Sequence, residues 1–170
     1  MRKTSKLMLG LDLCALVEFL RADPSLIKLM SEHVGTVHVA SVSAEAAAKL
    51  DEAGAAAIGL QVVEPSLSQA SDAASSRGAM SFHQRLAAIL AAHHGWTCVS
   101  NCEHLTFDCG TRKVRVLRSF EVLERLVGVG ALAAKRAETA ARALHSMNGR
   151  HFTSAHLAVF ARRLRRKSAS

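Results

Sequence analysis

The chain has 170 residues, 49% of them apolar and 4% aromatic, which is enough for one domain with a full hydrophobic core. That composition excludes a disordered chain, and no apolar run reaches the roughly 18 residues of a membrane span. Lys and Arg outnumber Asp and Glu by 22 to 14, a net charge of +8, which favours an anionic partner such as nucleic acid or an acidic protein.

The chain opens on MRKTSK and then LMLGLDLCALVEFL. Asp12 and Glu18 interrupt this apolar stretch and no convincing cleavage site follows, which argues against a signal peptide. The four cysteines, Cys14, Cys98, Cys102 and Cys109, form no CxxC pair. The expectation is a cytoplasmic protein with reduced thiols and no membrane segment.

Residues 6–12 form a short, continuously apolar run, as a strand buried on both faces does. Asp12 stands at its end, where a charge is tolerated only if it faces a polar cleft or finds partners. A helix over 14–22 follows, and Asp23-Pro24 restarts a second one with Asp23 as its cap. TVHVA (36–40) reads as a second strand, 43–53 as a helix ended by Gly54, and IGLQVV (58–63) as a third strand. A Ser-rich helix is expected over 66–77. SFHQRLAAILAAHHG is the clearest helix, because Ser81 and Gln84 make a capping box and Gly95 ends it. Residues 96–99 are a fourth strand. Ser100 caps the next helix with Glu103 three residues on, and Gly110 ends it. Residues 114–117 give a fifth strand, followed by helices over 119–127, 131–146 and 153–167.

Strands that alternate with helices predict a three-layer α/β/α sandwich around a parallel sheet of about five strands, with a C-terminal helical extension. The boundary falls near residue 130, giving a domain over 1–130 and an extension over 131–170 packed on it. In such sheets ligands bind beyond the carboxyl ends of the strands. Asp12, Glu45, Gln84 and the stretch Ser100-Asn101-Cys102 all lie near such ends or open the adjoining helices.

The segments LGLDLCALVEFL, VASVSAEAAAKL, MSFHQRLAAILAAHHGWTCVSNCEHL and NGRHFTSAHLAVFARRL, in that order, resemble the PIN domain. This is the fold of VapC-type toxins and related metal-dependent ribonucleases. The resemblance implies RNA phosphodiester hydrolysis by carboxylates that hold Mg²⁺ or Mn²⁺. It assigns Asp12 and Glu45 as the catalytic and metal-binding acids. Gln84 stands where the family has its third acid, and Cys102 replaces an Asp beside Ser100 and Asn101. Cys14 replaces a hydroxyl or amide residue two after the first Asp. Each lost carboxylate removes a charge worth roughly 4 kcal/mol per unit of cation charge at about 4 Å and an effective dielectric of ~20. The expectation is therefore a metal held weakly or not at all, and a protein with impaired or lost nuclease activity that acts by binding RNA or protein. The alternative is an active endoribonuclease of toxin–antitoxin type. The resemblance also implies a small antitoxin-like partner and a homodimer.

Other readings stay open. Glu18 or Glu103 can stand in for the missing acids, and Gln84 can be a capping residue alone. An acid early in a helix, such as Glu45, also suits the helix dipole. Cys98, Cys102, His104 and Cys109 are a candidate zinc set without the usual hook. Cys102 near a helix start, with His83 or His104 as base, is a candidate nucleophile. Arg112, Lys113 and Arg115 form one basic cluster, and Arg162, Arg165 and Arg166 share a face of the last helix; both suit RNA phosphates or a solvated surface.

Overall fold

The computed structural model describes residues 6–75, 77–147 and 153–168. In chain order the elements are β1 (Leu7–Leu11), α1 (Leu13–Ala22), α2 (Ser25–His33), β2 (Gly35–Ala40), α3 (Ser41–Ala48), α4 (Glu52–Ala57), β3 (Leu60–Val63) and α5 (Leu67–Ser75). There follow α6 (Phe82–His94), β4 (Thr97–Val99), α7 (Glu103–Thr111), β5 (Val116–Leu117), α8 (Ser119–Gly128), α9 (Ala134–Met147) and α10 (Ser154–Ser168).

The five strands form one all-parallel sheet in the order β3-β2-β1-β4-β5. The chain steps outward from β1 to β3, then returns to place β4 on the other side of β1. This reversal sets the carboxyl ends of β1 and β4 side by side, the place where open α/β sheets bind ligands. Helices cover both faces, giving the three-layer sandwich expected from the alternating pattern. Leu9, Leu11, Val37, Val39 and Val99 point to one face and pack with α1, α2 and α8. Ala40 and Cys98 point to the other and pack with α6 and α7. Trp96 lies in the second core, with its ring stacked on His38 at 4.5 Å and on His94 at 4.6 Å.

The C-terminal helices join the first core. Ala137, Ala140, Ala141 and Leu144 of α9 are buried in it, as are Phe160 and Leu164 of α10. The rings of Phe120 and Phe160 lie 4.9 Å apart between α8 and α10. No helix among the described residues is long and apolar enough to cross a membrane.

Several boundaries differ from the sequence reading. The single helix expected over 43–53 is two. Lys49 ends α3 in the left-handed region at φ 51, and Asp51 caps α4 by accepting from the Gly54 N–H at 2.7 Å. Gly54 therefore lies inside a helix, not at the end of one. The third strand starts two residues late, because Ile58 closes α4 and Gly59 turns at φ 87. Pro24, not Asp23, occupies the cap position of α2, although Asp23 still accepts from the Ser25 N–H at 3.1 Å and hydroxyl at 2.6 Å. Gly110 lies inside α7, and the turn that ends this helix falls on Lys113 at φ 59.

Two glycines differ sharply in what a side chain meets. At Gly35 a Cβ would sit 2.0 Å from the Leu7 carbonyl oxygen of the neighbouring strand, whereas at Gly110 nothing lies within 4 Å. Gly35→Ala should therefore cost about 3 kcal/mol or more in chemical denaturation, while Gly110→Ala should stabilise by up to about 1 kcal/mol. Equal effects of the two substitutions would contradict the strand register.

Candidate functional site

Asp12 lies at the switch point between β1 and β4, fully buried at 0% exposure. Asp12 is the N-cap of α1, and its backbone N–H donates to the Val99 carbonyl at 3.3 Å. Its Oδ1 accepts from the Ala15 N–H at 2.6 Å, and its Oδ2 from the Ser100 hydroxyl at 2.5 Å. The Ser100 oxygen in turn accepts from the Cys102 N–H at 3.1 Å. One carboxylate thus joins the end of β1, the start of α1 and the loop after β4. Burial pushes the Asp12 carboxyl above its ordinary value, and the bonds from Ser100 and Ala15 offset part of that rise.

A second polar group lies beside the first. Glu18, six residues further along α1 and 7% exposed, accepts from Asn101 Nδ2 at 2.6 Å. The same amide donates to the Ser119 hydroxyl at 2.8 Å, and its Oδ1 accepts from the Ser119 N–H at 3.0 Å. Asn101 therefore ties α1 to the start of α8. The part played by Ser119 is not visible in the sequence, since nothing local marks it as the partner of Asn101.

Among the described residues, the Asp12 side chain is hydrogen-bonded to Ala15 and Ser100 and to none of the other expected acids or their substitutes. Glu45 is exposed on α3 and lines open clefts with Lys49 and His83. The Gln84 amide oxygen accepts from the Ser81 N–H at 2.9 Å, completing the capping box. Glu103 is exposed and lines a groove with Arg118 and Arg163. Cys102, not Ser100, is the N-cap position of α7, because the Ser100 hydroxyl is committed to Asp12.

Among the described residues, no thiol is hydrogen-bonded to a histidine. His83 is hydrogen-bonded to the Ser43 hydroxyl at 3.0 Å through Nδ1, and burial holds its ring below the ordinary histidine value. His104 is exposed on a groove with Phe107 and Arg112. Cys98 and Cys109 are buried in the second core. The Cys98 thiol is raised by its hydrogen bond to Cys109 and by burial. Cys14 is exposed, yet burial of its flank and the nearby Asp12, Glu18 and Cys102 push its thiol up to about 11. Among the described residues, no three His, Cys, Asp or Glu side chains are grouped so as to hold a metal ion.

A Mg²⁺ or Mn²⁺ ion needs several accessible, ionised oxygens, because its dehydration must be offset. Asp12 is fully buried with one hydrogen bond already on each oxygen, Glu18 is bonded to Asn101, and Glu45 lines other clefts. These residues do not fit such an ion. What the arrangement does is hold the switch point together.

The basic clusters are on the surface. Arg112 pairs with Asp108 at 2.8 Å, and Lys113 and Arg115 are exposed beside it. On α10, Arg162, Arg165 and Arg166 are exposed, opposite the buried Phe160 and Leu164.

A carboxyl whose folded-state value lies above its unfolded value of 3.8 stabilises the fold at acid pH and loses that contribution as pH rises. Asp12→Asn removes this titration and keeps a side chain that caps well. The stability difference between variant and wild type should shift in favour of Asp12→Asn as pH rises from below 3.8 to neutrality. Paired thermal melts check this, and a difference independent of pH would contradict it.

In comparisons with known proteins, no protein-family model, curated protein or solved structure matches the chain significantly.

Proposed function

We propose that the chain is a PIN-like α/β/α protein that binds RNA and does not hydrolyse it. The observation that carries this reading is the state of Asp12. A metal-dependent phosphodiesterase needs its carboxylates ionised, clustered and open to the ion. Here the residue in the family's first position is buried, bonded through both oxygens, and shifted towards its neutral form. The positions that would complete the set carry an amide bound in a cap and a thiol, and Glu45 lies among other partners.

Retention of RNA binding is supported by charge. The chain carries +8, and its exposed cations include Arg115, Lys113, Arg162 and Arg165. Neutralised phosphates release counterions, which gives affinity without sequence preference. Cytoplasmic residence, a homodimer and a small antitoxin-like partner follow from the same resemblance and form part of this proposal.

The test is incubation of a fluorescently labelled RNA pool with wild type and Asp12→Asn, each with Mn²⁺ or with EDTA. The expected result is RNA bound but uncut, with equal binding by both proteins and no effect of EDTA. Cutting that requires Mn²⁺ and disappears in Asp12→Asn would make the protein a working nuclease.

A further inference from the structure

An exposed phenylalanine by itself needs no explanation. The setting of Phe107 is different. It is 77% exposed in a chain with only 6 Phe, 1 Trp and no Tyr, where the other described large aromatics are wholly or partly buried. Its ring lines a groove of about 500 Å³ between α7 and the connection from α5 to α6. That volume falls in the range of small-molecule sites, roughly 300–1,000 Å³.

One wall of the groove is a face of α7, where His104, Phe107, Asp108 and Arg112 recur every three to four residues. The other is the loop bearing Arg77 and Met80. This loop is held in place by Arg85, whose Nε donates to the Ala73 carbonyl at 2.6 Å and whose Nη1 donates to the Met80 carbonyl. The capping box at Ser81 and Gln84 fixes the loop's far end. The wall is therefore built before any partner arrives.

Charge separates this groove from two other clefts. The cleft beside α8 and α10 sets Glu103, Glu121 and Glu124 against Arg118 and Arg163. The cleft at the end of α3 has four acids and one lysine. The Phe107 groove has Arg77, Arg85 and Arg112 against a single acid, Asp108, and that acid is already paired with Arg112 at 2.8 Å. Lys113 and Arg115, both exposed, follow α7 in the chain.

An exposed aromatic face set in a positive groove is the combination that binds single-stranded nucleic acid. Bases stack on the ring whatever their identity, and cations follow the backbone. We propose that the Phe107 groove is where this protein takes an unpaired nucleobase of RNA, with an adjoining phosphate on Arg77. This rests on the RNA-binding reading above and gives it a surface, one built from α7 and the α5–α6 loop and separate from the Asp12 switch point. Duplex RNA, whose bases are already stacked and paired, has no base to offer the ring.

The test is fluorescence anisotropy of the full chain with a fluorescein-labelled oligouridylate and, separately, an RNA duplex of equal length. Phe107→Ala should weaken oligouridylate binding about tenfold or more, the effect of one lost base stack. Phe107→Tyr should restore it, and duplex binding should be the same in all three proteins. Arg77→Ala should lower the slope of log affinity against log salt by about 0.7, one phosphate contact on a single strand. Because Phe107 is exposed, the fluorescence of Trp96, the chain's single tryptophan, should be unchanged by Phe107→Ala, which confirms that the variant is folded. If Phe107→Ala binds oligouridylate as wild type does, while Arg162→Ala with Arg165→Ala abolishes binding, RNA is bound on α10 and this site is overturned with the RNA-binding reading intact. If wild type binds neither RNA, both fall, and the ring serves a protein partner instead.

Discussion

The fold depends on one short hydrogen bond, from the Ser100 hydroxyl to the buried Asp12 carboxylate at 2.5 Å. Parallel strands leave their last carbonyls and the first amides of the next helices unpaired at one end of the sheet. At the switch point two such ends lie side by side with no covalent link. Asp12 serves both: one oxygen starts α1 through the Ala15 N–H, and the other holds the loop after β4 through Ser100. Ser100 passes the constraint to the Cys102 N–H and so to the first turn of α7. Burying the Asp12 carboxyl is costly, and its two hydrogen bonds, from Ala15 and Ser100, offset part of that cost. The Glu18, Asn101 and Ser119 group repeats the logic one layer out, binding α1 to α8.

That constraint bears directly on chemistry. A carboxylate serves a divalent ion best when it is open and ionised, and here it is fully buried with a hydrogen bond on each oxygen. Polar groups can thus persist at the place where the fold binds ligands while they act as fasteners. The same chain keeps most of its aromatic surface inside a core of Leu, Ala and Val, and leaves the Phe107 ring outside among arginines. Polar groups are buried at the switch point and an apolar ring is exposed on α7, and in both places the placement departs from what solvation alone favours.

The sequence makes the periodic features legible and hides those that depend on distant partners. The alternation of apolar runs and amphipathic segments is enough for the parallel sheet and its two helical layers. The Ser81 and Gln84 box was legible because both partners lie within one turn. Strand-end logic also brings Asp12 and Ser100 towards one cleft. It misplaces the roles, however, since Ser100 looks locally like a helix cap and its hydroxyl is drawn away to a residue 88 positions earlier. The break between α3 and α4 was missed because alanine continues through it, and only the side chain of Asp51 restarts the helix. Gly54 and Gly110 look like stop signals, yet each lies inside a helix, where the turn falls on a neighbouring lysine or no turn is made. Glu45 shares a plausible sequence position with Asp12, but it lies on an exposed face of α3 that no local pattern fixes.

The most direct test of the claim that Asp12 is a fastener is titration of the protein with Mn²⁺, followed by the electron paramagnetic resonance signal of the free hydrated ion. The account predicts that the signal rises in proportion to added Mn²⁺, with no stoichiometric site and no difference between wild type and Asp12→Asn. Loss of one equivalent of signal per chain, abolished by both Asp12→Asn and Glu45→Gln, would show that the two carboxylates share an ion and would contradict it.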